Sequence, residues 1–176
     1  MKTLSLIRPV LAATVAALLF SACSSMPPAP PVAVDHTTPA QRLAAVQAIA
    51  GADDKELSVQ PLRDPQVDDL RETAHAQREA GDLDAAADTL NQALLLVADD
   101  PAVLQERAEI ALLQADWPRA ETLARKAVAL GSRTGPLCRR HWATIEQTHL
   151  ARAEKENAAS AHAQIEGCTV PGIKRY

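Results

Sequence analysis

Apolar and polar positions change rhythm several times along the chain. Val10 to Phe20 is a predominantly apolar run of 11 residues behind Lys2 and Arg8. It is too short to span a bilayer and has the layout of an export signal over residues 1–22. Residues 23–38 show no periodicity and carry Pro27, Pro28, Pro30 and Pro31, which predicts an extended, semi-rigid tether. Leu43, Val46 and Ile49 then recur at helical spacing. Thr38 stands ready as a cap, Pro39 in the first turn and Gly51 as the stop, so a short amphipathic helix is expected over 39–51. Residues 52–65 are polar and read as a loop, with Asp53, Asp54, Lys55 and Glu56 at its solvated surface. From 66 to 168 the apolar residues return at helical period in blocks of helix length, and 169–176 is left as a tail.

Within that last stretch the chain repeats itself at an offset of 34. Leu70 aligns with Leu104, Glu72 with Glu106, Ala74 with Ala108, Asp82 with Asp116, Ala86 with Ala120, Ala93 with Ala127 and Leu96 with Leu130. Small residues at fixed places let two antiparallel helices approach closely, and Leu83, Leu90, Leu94, Trp117, Leu123 and Val128 fill the spaces between. The period, Ala74 and Ala108, the Gly81-Asp82-Leu83-Asp84-Ala85-Ala86 turn and its counterpart Ala115 to Ala120 resemble the tetratricopeptide repeat, a helix-turn-helix unit. The aromatic positions of that family are Leu70, Gln77, Leu104 and Ala111 here, so the repeats are small-residue variants. The expected fold is all-α: a short solenoid of antiparallel hairpins, with two clear repeats and a degenerate hairpin from Pro136 to Glu166 as a C-terminal cap. The 39–51 helix would cap the other end.

Composition supports an all-helical chain. Apolar residues make up 47% but aromatics only 2%, which suits close helix packing better than a β-sandwich. The formal net charge is −4, so no basic excess favours nucleic acid.

Leu19-Phe20-Ser21-Ala22-Cys23 resembles the lipobox of bacterial lipoproteins, with Phe20 where Leu is usual. The resemblance implies cleavage before Cys23, lipidation of its thiol and acylation of the new N-terminus. Ser24 in place of Asp implies sorting to the outer membrane, facing the periplasm. In that oxidising compartment Cys138, at the start of the third hairpin, and Cys168, just past its end, are expected to form a disulfide. It would be worth about 3 kcal/mol by chain entropy.

Little in the chain points to catalysis, a cofactor or a metal. Glu72-x-x-His75 has di-metal spacing, but its second copy is missing, because Glu109 replaces the histidine. His141, His149 and His162, with Glu146 and Glu154, read better as polar helix faces than as ligands. No phosphate-binding loop or nucleophile elbow is present among the six glycines. The tetratricopeptide resemblance implies instead a protein partner, a peptide or helix held in the groove lined by the first helix of each hairpin. By position that groove includes Arg71, His75, Arg78, Gln105, Glu109, Leu112, Arg139 and Arg140. The arginines are either a basic stripe for the partner or solvated helix pairs. Three envelope roles stay open: an interaction scaffold, a pilotin-like assembly factor for a pilus or secretion system, or an accessory regulator of a cell-wall enzyme.

Overall fold

The computed structural model describes residues 35–51 and 64–169. Cys23 and the Pro-rich stretch before residue 35, most of the 52–65 loop, and the tail beyond Thr169 lie outside the described residues. Seven helices and no strand occur among those described: α1 (Pro39–Ala50), α2 (Pro65–Glu79), α3 (Leu83–Leu96), α4 (Pro101–Leu113), α5 (Trp117–Leu130), α6 (Pro136–Ala151) and α7 (Lys155–Gly167). The fold is an all-α solenoid of three stacked antiparallel hairpins, α2–α3, α4–α5 and α6–α7, with α1 added.

The helix starts follow local chemistry. Thr38, Asp64, Asp82, Asp100 and Asp116 each accept a backbone N–H of the first turn through the side chain. Thr38 and Gln41 complete a capping box. Asp64-Pro65 has the same cap-plus-proline form as Thr38-Pro39 and Asp100-Pro101, so α2 begins inside the stretch read as loop.

The turn inside each hairpin is set by one residue in the left-handed region. Gly81 adopts φ 81°, and Ala115, its equivalent one repeat on, adopts φ 57°. Ala153 does the same at φ 58° in the third hairpin, ahead of Glu154. The third hairpin is therefore a genuine repeat in geometry. Its motif is displaced because α6 has 16 residues where α4 has 13.

Small residues bring the helices together, as their spacing implies. Ala74, Ala86 and Ala93 in the first hairpin, and Ala108, Ala120 and Ala127 in the second, are fully or nearly fully buried. Trp142 in the third is accommodated against Ala124 and Ala161. Cys138 and Cys168 are bonded, with Cα atoms 5.7 Å apart. Beside the bridge Gly135 N–H donates to the Cys168 carbonyl at 2.8 Å, so the open end of the hairpin is closed twice.

The position of α1 differs from the expected cap on the first hairpin. It packs on α6 and α4, on the face formed by the first helices of the hairpins. Leu43 and Val46 enter an apolar patch with Ala111, Leu112 and Ala143. Leu112 therefore has its apolar partner within the chain.

Candidate functional site

The predicted partner-binding residues divide into a buried set and an open set. Gln105, Glu109 and Leu112 have no exposed surface, and Arg139 is 7% exposed. In this arrangement of the helices they present almost no surface, whereas Arg71, His75, Arg78 and Arg140 are at least partly exposed.

Gln105 and Glu109 belong to a hydrogen-bonded network between α4 and α6. Gln105 donates to Glu109 Oε1 at 2.9 Å and to Thr144 Oγ1 at 2.7 Å. Its own oxygen lies 2.8 Å from His141 Nδ1. Arg140 grips the Glu109 carboxylate with Nε and with Nη2, the latter at 2.6 Å. Burial works against the Arg140 charge, but Glu109 outweighs it and its pKa ends raised. His141 is fully buried, and burial followed by the adjacent Arg140 pushes its pKa down to about 4. The imidazole is thus neutral at pH 7, with its Nδ1–H donated to Gln105. These residues hold two hairpins in register, and a buried pair of this kind fixes geometry more than it adds stability.

Arg139 serves α1 instead. Its Nη2 donates to the Ala50 carbonyl at 3.1 Å, at the C-terminal end of that helix. At the other end Arg42 is 2% exposed, donates to the Gln147 carbonyl and side chain, pairs with Asp35, and lies 5.8 Å from the Trp117 ring centroid. The signal for this in the sequence is weak: Arg42 sits between exposed Gln41 and buried Leu43, and a lone charge beside an apolar position gives no sign of its own burial.

The open set lies on α2. Arg71, His75 and Arg78 border a cleft of about 420 Å³ between α2, the end of α1 and α4. Its floor includes Ala74, Leu90 and Ile110, and Arg140 and Glu106 reach its far wall. Arg71 is bidentate to Glu106, at 2.9 and 2.5 Å, and also reaches Asp68. Arg78 pairs with Glu79, and His75 is exposed. The arginines thus form neither a free basic stripe nor simple i,i+4 pairs. Arg71 and Arg140 act across helices.

His149 and His162 lie beside carboxylates. His149 lies 2.6 Å from Glu154 and 3.4 Å from Glu121, and His162 lies 3.0 Å from Glu146. Among the described residues no group of three or more His, Cys, Asp or Glu side chains is placed to hold a metal ion. Glu72 and His75 share a helix face on α2, and among the described residues no carboxylate set is assembled around them.

The fold resembles a solved bacterial domain. The globular C-terminal domain of P. aeruginosa LpoP matches with a TM-score of 0.56 and 29% sequence identity, over 60% of this chain and 99% of that domain. No family model matches the chain, and no curated protein matches it. Helical hairpins stacked as a solenoid are therefore a fold this chain shares with the LpoP domain.

Proposed function

We propose that the chain is a lipid-anchored protein of the bacterial outer membrane, facing the periplasm, and that it regulates a cell-wall enzyme without catalysing a reaction itself. The observation that carries this reading is the likeness to the LpoP domain, which among the three envelope roles favours the accessory regulator, with a peptidoglycan synthase as the enzyme. The lipobox-like segment ending in Cys23 and the Pro-rich residues after it supply the anchor and the tether. The hairpins are of the tetratricopeptide kind in this reading, supported by the left-handed Gly81 and Ala115 turns and the buried alanines repeating at 34 residues.

The partner engages the face formed by the first helices of the hairpins, at the cleft beside α2. An apolar floor with exposed His75 and the carboxylate-paired Arg71 and Arg78 at its rim suits an amphipathic helix or peptide with polar side chains at its edge. Such a rim sets orientation and partner choice more than affinity.

The test is a polymerisation assay with purified full chain and each peptidoglycan synthase of the same cell. The wild-type chain is expected to change the rate of one synthase severalfold. H75E combined with R78E is expected to abolish that change while preserving the helical circular-dichroism spectrum. No effect of the wild-type chain on any synthase would sink the reading.

A further inference from the structure

Helix α1 occupies the surface on which a solenoid of this kind takes its ligands, and it does so as a ligand would. It crosses the first helices of the second and third hairpins and is not part of any hairpin. Its contacts have the anatomy of helix-in-groove recognition. Leu43 and Val46, three residues apart, enter the patch of Ala111, Leu112 and Ala143. Arg42, immediately before them, lies against the Trp117 face and bonds Gln147. Arg139 closes the far end on the Ala50 carbonyl.

We propose that this seat is a docking site for a short amphipathic helix, and that α1 is its built-in occupant, displaced by a partner helix of the same pattern. The pattern is Arg-apolar-x-x-apolar followed by a helix C-terminus whose last carbonyls are free to accept from Arg139. The occupant in the resting chain is α1 of the same molecule. The partner is a protein segment with that chemistry.

Three observations favour displacement over a permanent structural role. First, α1 has 12 residues, a length at which an isolated helix is marginal in water, so its order depends on the seat. Second, residues 52–63 separate it from the Asp64 cap of α2; at about 3.3 to 3.6 Å per residue they can reach roughly 40 Å, so α1 can leave while α2 stays. Third, the seat adjoins the open cleft, since Gln47 and Ala50 at the end of α1 form one of its walls. A partner held in the cleft beside Arg71 and Arg78 is therefore next to the helix it would replace. An intramolecular occupant multiplies the apparent affinity by the fraction of molecules in which it is unseated, so α1 sets a threshold for binding.

The inference concerns the same face as the proposed function, and its test contains no wall enzyme, so each can fail alone. The probe is a fluorescent peptide of residues 35–51, titrated with the full chain in detergent and read by anisotropy. Against a chain carrying Leu43→Asp and Val46→Asp, whose own α1 cannot seat, the peptide is expected to bind at least tenfold more tightly than against the wild-type chain. The same peptide carrying Leu43→Asp is expected not to bind. Equal binding to both chains, or binding to neither, overturns the proposal. Hydrogen exchange on the unmodified chain provides a second readout independent of whether the variant folds. The α1 amides are expected to exchange well before those of α4 and α6, and equal protection would overturn displacement. A wild-type dimer that exchanges α1 between copies would overturn the in-cis assignment.

Discussion

Glu109 is a carboxylate with no exposed surface, and its neighbours explain how that is tolerated. Arg140 supplies the countercharge and Gln105 a further hydrogen bond. Glu109→Ala leaves the partly buried Arg140 without its carboxylate and Gln105 without one of its acceptors, and should cost about 3 kcal/mol in urea unfolding, the low end for a broken buried pair. Charge reversal at Arg140 would set two carboxylates against each other and is expected to lower the melting temperature, which makes it a poor probe of partner contact. His141, in the same network, gives a pH dependence with a definite sign. Its folded pKa of about 4 lies below the ordinary histidine value of 6.5. Between those values the unfolded chain binds a proton that the folded chain excludes. The stability is complete above pH 6.5 and is lost as the pH falls toward 4. At pH 5 the loss is on the order of 2 kcal/mol. Urea midpoints at pH 7 and pH 5 check this: His141→Gln should flatten the difference, and an unchanged difference would contradict it. Ala115 at φ 57° carries the strain of a left-handed non-glycine residue. Ala115→Gly should therefore raise the unfolding free energy by about 1 kcal/mol. The equivalence of Ala115 with Gly81 was legible in the repeat. The network was not, because a periodic pattern places Gln105 and Glu109 on a face without saying what covers it.

At the scale of elements, the two regular hairpins and the disulfide followed from spacing. The 34-residue offset places Ala74 over Ala108 and Ala93 over Ala127, and all four are buried where helices meet. Cys138 and Cys168 sit at the open end of one hairpin, which spacing alone makes neighbours once the hairpin is recognised. Reduction should destabilise the chain by about 3 kcal/mol, with the loss of exchange protection concentrated in α6 and α7. Equal loss over α2 and α3 would contradict that placement. The third hairpin looked degenerate because the longer α6 displaces Ala153-Glu154 from the 34-residue register. The seat of α1 escaped the sequence for a different reason. An amphipathic pattern fixes which side of a helix is buried, but not the surface that buries it. Leu43 and Val46 would serve equally as a cap on α2 or as a ligand on α4 and α6. The complement that decides, Leu112 with Trp117, Gln147 and Arg139, comes from three separate helices.

At the scale of the whole molecule, the face formed by the first helices of the hairpins is unevenly covered among the described residues. Its α4–α6 part is closed by α1, and its α2 part borders the cleft beside Arg71, His75 and Arg78. The likeness to the LpoP domain concerns this same hairpin architecture, and the account makes the open part the place where an envelope partner is met. Exposed His75 is therefore the informative position for capture, whereas Gln105 and Arg139 are covered. The most direct measurement is photocross-linking in intact cells. A photoreactive residue replaces His75, a control replaces exposed Arg119 on α5, and the products are read by mass spectrometry. The account predicts one discrete partner, a peptidoglycan synthase, captured from position 75 and absent from position 119. Equal and diffuse capture from both positions would contradict it.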